Sequence, residues 1–225
     1  MSKEPANAKR LRKPRGPGRP EGTSVIRDEI LDAAEMVFSS LGYAGTSMRE
    51  VAEKAKVTQA LISYYFGSKF GLFEQAFLRR SEPISLERIE LLEELQRAGN
   101  ATVREVVRAF LLPTVSLRGS VQGRAFLRLQ ARLHTEPPEI SYELRTQAYG
   151  CSTGRYVEAL RAALPGLSEL DAHWRVTMMV GTYLYAFSDT HRMEEMTRPG
   201  VYDQADTDSL IEQVTRFVVG GFEAD

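Results

Sequence analysis

Gln59 and Ser63 stand four residues apart with Ala60 and Tyr64 beside them, while Ile62 and Phe66 form a second pair at the same spacing. On a helix these two rows lie on different faces. The apolar row can enter a core, and the other presents a small, polar surface with no long aliphatic side chain. Small residues let a helix approach base edges, and a glutamine amide can make paired hydrogen bonds to adenine. Tyr64, Tyr65 and Lys69 carry hydroxyls and an ammonium, groups that hold phosphate oxygens without reading sequence. Upstream, Thr46 and Thr58 open two short helical patterns whose N-terminal N–H groups favour anions. The chemistry within reach of these residues is recognition of double-stranded DNA.

The charge distribution points to the same end of the chain. Residues 1–20 carry seven Lys/Arg against one acid, residues 21–80 seven against eight, and the remaining 145 fifteen against twenty-one. A basic arm ahead of an acidic body directs a polyanion to the N-terminal end. Pro14, Pro17 and Pro20, with Gly16, Gly18 and Gly22, oppose regular structure, so residues 1–22 are expected to be a disordered arm. Within it, Arg15-Gly-Pro-Gly-Arg19-Pro20 resembles the Gly-Arg-Pro core of an AT-hook, in which Arg19 would enter a narrow minor groove. Pro17 stands where that core has an arginine, which favours a phosphate-seeking arm over a true hook.

Other chemistries fare less well. Gly150-Cys-Ser-Thr-Gly154 matches the Gly-x-Ser-x-Gly elbow of α/β hydrolases, where the serine sits on a strand-to-helix turn. The preceding Leu144–Tyr149 segment is polar and helical in pattern, so a helix kink or close helix contact is the expected role. His134, His173 and His191 are too scattered for a zinc pattern, and the single Cys151 excludes an intrachain disulfide and fits a reducing cytoplasm. Neither a metal, a cofactor nor catalysis is expected. A chain of 225 residues, 43% hydrophobic and 26% charged, can build substantial cores. Its apolar runs, such as Phe217–Val219, are too short to span a bilayer, and the N-terminus lacks the apolar stretch of a secretory signal. The expected location is the cytoplasm, in association with the nucleoid.

The elements that must position these groups are all helical in pattern, with no alternating strand segment. A first helix is expected from Ser24 to Leu41, with Ile26, Ile30, Ala33, Val37 and Leu41 on one face and Gly42 as its stop. Thr46 or Ser47 can cap a second, with Glu50 at capping-box spacing from Ser47, and Thr58 a third through Phe66. Joined by the turn Ala55-Lys56-Val57, these two have the dimensions of a helix-turn-helix. A fourth helix is expected over 69–80, ended by Pro83. Further helices follow at roughly 85–98, 102–117, 120–134, 140–163, 169–196 and 206–222.

The run Thr46-Ser-Met-Arg-Glu-Val-Ala-Glu-Lys-Ala-Lys-Val-Thr-Gln-Ala-Leu-Ile-Ser-Tyr-Tyr-Phe-Gly-Ser-Lys69, preceded by Ile30-Leu-Asp-Ala-Ala-Glu-Met-Val-Phe38 and Leu41-Gly-Tyr43, resembles the DNA-binding signature of the TetR family over about residues 24–75. That resemblance implies Thr46 and Ser47 near phosphates, Gln59, Ala60 and Ser63 at base edges, and Tyr64 and Lys69 on the DNA backbone. Two positions depart from the family pattern: Lys56 occupies the usual turn glycine, and Ser63 a position where tyrosine is common. The resemblance implies a helix-turn-helix domain at 23–68 and a helical ligand-binding and dimerisation domain at 69–225. It also implies a homodimeric repressor that a small-molecule effector releases from operator DNA.

An effector pocket should be mostly apolar with a few polar anchors. Phe126, Leu129, His134, Tyr149, Trp174, Met178 and Tyr183 are candidates, though for each an ordinary core role is the stronger expectation. Phe126-Leu-Arg-Leu129 followed by Arg132 resembles a helix of TetR-like sensors of fatty acids or their coenzyme A esters, which leans toward a lipophilic effector. The apolar surfaces on Trp174, Met178, Gly181 and Tyr185, and on Leu210, Val214, Phe217 and Val218, can be core or a dimer seam.

Deleting residues 1–22 should leave the fold intact and weaken DNA binding. The slope of log affinity against log salt should become shallower by several units at most, reflecting about two to four counterions per subunit. A salt titration of both forms checks this, and an unchanged slope would reduce the arm to a solubilising tail.

Overall fold

The computed structural model describes residues 21–224, with side chains from Val25 onward; residues 1–20 of the basic arm, including Arg19, lie outside them, and Glu21 and Gly22, expected in that arm, belong to a helix. The helices are α1 (Glu21–Gly45), α2 (Met48–Ala55), α3 (Gln59–Phe66), α4 (Lys69–Ala98), α5 (Val103–Val115), α6 (Val121–Leu133), α7 (Pro138–Ala163), α8 (Glu169–Phe187), α9 (Arg192–Met196) and α10 (Thr207–Glu223). A 3-10 turn at Ser116–Gly119 joins α5 to α6, and no strand occurs among the described residues. The protein is all-α, with an N-terminal helix-turn-helix unit followed by a larger helical domain.

Local chemistry sets most boundaries. Glycine at position 42 breaks α1 with φ 73° and ψ 176°, a conformation that costs a residue with a Cβ far more. Ser47 and Glu50 form the expected capping box at α2, and Thr102 with Glu105 forms a second one at α5. In each, the serine or threonine oxygen accepts the N3 amide while the glutamate accepts the cap amide.

Helix α1 begins at Glu21 and continues past the Gly42 kink to Gly45, and two larger differences from the sequence expectation lie further on. Helix α4 does not stop before Pro83 but runs through it as one helix of 30 residues. A proline inside a helix removes one N–H and crowds the carbonyl four residues back, costing about 3 kcal/mol. Beyond it, however, Ile84 and Leu92 are buried on the stripe that begins with Leu72, Phe73, Ala76 and Phe77. Burying each aliphatic side chain contributes about 1.5–3 kcal/mol, enough to carry the helix across. The span expected over 169–196 instead divides: α8 ends at Phe187, and Asp189 and His191 adopt left-handed φ values of 52° and 56° before α9. The buried Arg118 fixes this break, donating to the Phe187 carbonyl (2.9 Å) and the Asp189 carboxylate (2.6 Å).

Two hydrophobic cores result. One gathers Ile30, Phe38, Val51, Ile62 and Phe66 with Phe73 and Phe77 of α4, Phe126 and Leu133 of α6, and Leu144 of α7. The other joins the C-terminal half of α4 to α5, α7, α8 and α10 through Leu92, Phe110, Tyr156, Met179, Phe187 and Phe222. The helix-turn-helix unit therefore shares its core with α6 and α7, with no packing gap at residue 68. No described helix is long and apolar enough to cross a membrane.

Glu35 on α1 is buried beneath α4. Its carboxylate meets Arg79 and, at 2.7 Å, Arg80 Nε, and Arg79 also reaches Asp32 at 2.6 Å. Burial pushes the Glu35 pKa up although both guanidiniums pull it down. Glu35→Gln should lower the unfolding free energy by about 1.5–3 kcal/mol, because the hydrogen bonds of Arg79 and Arg80 to a charged acceptor are lost, which outweighs the desolvation relieved at Glu35. Urea unfolding checks this: the midpoint should fall with the slope unchanged.

Candidate nucleic-acid interface and effector cavity

Helix α3 divides as its spacing implies. Ile62 and Phe66 are buried, while Gln59, Ala60, Ser63 and Tyr64 face solvent, Tyr64 at 80% exposure. Thr58 is spent on the fold: its hydroxyl oxygen accepts the Leu61 amide at 3.2 Å and starts the helix. Tyr65 is half-buried and packs edge-on against Tyr64, with ring centroids 5.4 Å apart. Lys69 sits at the first turn of α4, where its Nζ donates to the Ala44 carbonyl at 3.3 Å and lies 4.6 Å from the Tyr43 ring centre. It therefore ties the start of α4 to the α1–α2 connection.

Ser47 is exposed at the N-terminus of α2. Its amide and hydroxyl hold the Glu50 carboxylate at 2.7 and 2.8 Å, which keeps the Glu50 pKa below the usual carboxylate range. Thr46 is different. It is 3% exposed, and its hydroxyl donates to the Gly42 carbonyl at 2.7 Å. The phosphate contact expected of Thr46 has no free hydroxyl to make it.

The α2–α3 turn answers the question raised by Lys56. Its φ of 56° and ψ of 39° are left-handed, and its N–H reaches back to the Ala52 and Glu53 carbonyls. The turn thus keeps the geometry a glycine would give, at the cost of strain on a residue with a side chain.

A cavity of about 620 Å³ opens between α7 and α8, with Arg88 of α4 and Phe110 of α5 also in its wall. Apolar surface comes from Phe110, Val157, Val176, Val180 and Leu184, and small residues Gly150, Gly154 and Gly181 line it as well. Among the sequence candidates, His134, Tyr149 and Tyr183 reach this wall. Phe126 and Leu129 do not, since they are buried in the core beneath α1 and α4. Trp174 and Met178 do not either; they stand 57% and 62% exposed on the outer face of α8. Burial and the neighbouring Arg145 hold the His134 pKa down to about 4, leaving the imidazole neutral near pH 7. Gln130 donates to the Tyr149 hydroxyl at 2.7 Å, and burial raises the Tyr149 pKa so that the phenol stays protonated.

Sequence reasoning missed Arg88. The available signal was its register with Ile84 and Leu92 on a buried stripe, which the expected stop at Pro83 concealed. A second cavity, about 630 Å³, lies in the α8–α10 connection, but its buried Arg118 is already paired with Asp189. Ser152, the serine of the elbow motif, lies in mid-α7 with no solvent exposure and takes a 2.8 Å hydrogen bond from Ser85 of α4. It makes a helix contact, in a setting with no elbow. Among the described residues no His, Cys, Asp and Glu group is arranged to hold a metal.

Two family profiles match: "Bacterial regulatory proteins, tetR family" over residues 30–76, and "Tetracyclin repressor-like, C-terminal domain" over residues 108–221. Over 48 residues the chain is 50% identical to a probable HTH-type transcriptional regulator, YttP, of Bacillus subtilis, covering 21% of this chain and 23% of that protein. It is 35% identical over 51 residues to IcaR, the HTH-type negative transcriptional regulator of the biofilm operon icaADBC in Staphylococcus aureus, covering 23% and 27%. These matches span about a quarter of each relative's length. A crystal structure of a putative tetR family transcription regulator from Shewanella sp. PV-4 shares the fold, with a TM-score of 0.59 at 19% identity over 86% of this chain and 95% of that one.

Lys56→Gly should raise stability by about 1 kcal/mol, because glycine adopts the left-handed turn without the Cβ penalty. Thermal melts read this directly; a decrease would mean that the lysine side chain holds the turn in a way its backbone does not reveal.

Proposed function

The chain belongs to the TetR family of bacterial regulatory proteins, and on that premise we propose that it acts as a homodimeric repressor released from operator DNA by a small, lipophilic effector. DNA-binding regulation of transcription is the family's activity. The observation that carries the reading is the outward face of α3, where Gln59, Ala60 and Ser63 are exposed over a fully buried Ile62. In this reading those three approach base edges in the major groove, while Tyr64, Tyr65 and Lys69 engage flanking phosphates, and Ser47, also exposed, does so by turning its hydroxyl away from Glu50. A bound dimer blocks a promoter, which makes repression the default direction. The protein then works where the DNA is, in the cytoplasm.

Release needs a path from cavity to DNA, and two contacts support one. At the end of α6, His134 lines the cavity. Two residues before it, Arg132 donates to the Ser40 carbonyl at 3.0 Å; two residues after it, Glu136 accepts the Tyr43 amide at 2.8 Å. Both grip the end of α1 around the Gly42 break, where an added Cβ would lie 3.1 Å from Glu136 Oε1. The second contact is α4, with Arg88 at the cavity and Arg79 and Arg80 holding Glu35, about 13 Å away along the helix. An effector that binds one placement of α4 and α6 better than another would shift the helix-turn-helix units, and DNA would reciprocally weaken effector binding. The apolar cavity wall supports a lipophilic effector. The Phe126–Leu129 segment supports it less, since Phe126 and Leu129 pack in the core.

Dimerisation through α8 and α10 is supported by surface that the fold leaves uncovered. Val214 and Val218 are core, whereas Trp174, Met178, Tyr185 and Phe217 are exposed, Phe217 at 72%. A closed two-fold pair is also what helix-turn-helix readers of palindromic sites require.

Gln59→Ala should cost roughly 1–3 kcal/mol of discrimination between operator and random DNA, whereas Lys69→Ala should weaken both alike. Operators selected from a random pool, followed by titration of specific and scrambled duplexes, test this. Equal losses for both variants on both duplexes would mean that α3 reads no bases.

Sedimentation of the full chain at micromolar concentration should show a dimer, and Phe217→Glu or Gly181→Glu should shift it toward monomer without lowering the monomer's helicity. Neither site is filled by the fold, since Phe217 is exposed and a Cβ at Gly181 meets no atom within 4 Å. A wild-type monomer would overturn the assignment.

A further inference from the structure

Resting on the reading of the α7–α8 cavity as the effector site, we propose that the cavity takes an apolar molecule bearing a single carboxylate, which Arg88 holds. Arg88 is only 1% exposed, yet it forms no ion pair with any described residue. Its Nε donates to the Phe110 carbonyl and its Nη2 to the Thr114 hydroxyl, both at 2.9 Å and both neutral acceptors. The guanidinium lies 3.6 Å from the Phe110 ring centre. Nη1 makes no hydrogen bond to a described residue. A guanidinium stays charged at any working pH, and a buried charge without a counter-charge costs several kcal/mol.

Nothing in the wall supplies that counter-charge. Burial keeps the phenol of Tyr149 in the wall protonated, as it does that of Tyr156, which donates to the Arg88 carbonyl, so both offer dipoles only. The titratable side chains lining the cavity are Arg88, Arg145, His134, His173 and three tyrosine or phenol-bearing positions, with no Asp or Glu among them. This contrasts with the rest of the domain, in which acids outnumber Lys/Arg twenty-one to fifteen over residues 81–225. Arg145 also lacks an ion pair among the described residues, but it is only half-buried, so water screens its charge, and its Nε and Nη1 meet the Ser141 carbonyl and His134 Nδ1, both at 3.3 Å. One free guanidinium edge matches one negative charge, and a carboxylate satisfies it with a charge-assisted hydrogen bond. Val157, Val176, Val180 and Leu184, which also line the cavity, then cover the apolar body.

Calorimetry on the full chain with decanoate, decan-1-ol, decylamine and inorganic phosphate tests the assignment. Decanoate should bind at least about tenfold more tightly than decanol, with decylamine weaker still and phosphate alone weakest. Arg88→Met should make decanoate and decanol equal, while Arg88→Lys, which keeps the charge, should retain the preference. Circular dichroism melts and operator affinity without ligand establish that each variant folds; if Arg88→Met does not, the wild-type series and Arg88→Lys decide. Equal binding of decanoate and decanol by the wild type, tighter binding of decylamine, or no binding of decanoate overturns the proposal. The two readings separate cleanly. Decanoate bound through Arg88 without loosening the operator complex leaves this site standing and sinks release, whereas release by decanol as strongly as by decanoate does the reverse.

Discussion

Glu35, buried under α4 and held by Arg79 and Arg80, fixes the helix-turn-helix unit to the first turns of a helix whose later turns reach the cavity. Because α4 continues through Pro83, those turns belong to one rod and not to two hinged pieces. The constraint is expensive at two points, a carboxylate removed from water and a proline inside a helix. Both costs are offset by burial along the same stripe, from Leu72 through Leu92. Through that continuity α4 becomes, with α6 and α7, one of the helices that contribute side chains to both cores.

A second link reinforces the first. The end of α1 is clasped by Arg132 and Glu136, which flank a residue of the cavity wall. The left-handed Gly42 lets Glu136 approach the Tyr43 amide closely enough to cap it. Two separate contacts therefore join α1 to elements of the cavity, one through α4 and one through α6. Coupling of this sort needs two discrete packings of the same parts, and close-packed cores favour discrete states over gradual bending.

The cavity itself is a case of charge sorting against composition. The C-terminal domain is acidic overall, yet the charged groups that line its cavity are cationic. The neighbouring cavity beside Arg118 has its cation neutralised by Asp189 and serves to lock the α8–α10 connection. The two sites thus use a buried arginine differently, one closing on a partner from its own chain and the other left open.

The sequence by itself determined what is local. Period, caps and stops gave the all-α class, the boundaries of α2 and α3, the break at Gly42, and the division of α3 into a buried Ile62–Phe66 row and an exposed Gln59–Ser63 row. These depend on interactions within a few residues, such as the Ser47–Glu50 capping box, and such interactions are written in spacing. Tertiary structure decided everything that depends on which residues meet across the chain. It carried α4 past Pro83, sent Phe126 and Leu129 to the core and Trp174 and Met178 to the surface, and brought Arg88 beside Phe110 and Tyr149. Burial is a property of contacts tens of residues apart, so a stripe in the sequence says which face is apolar but not what covers it.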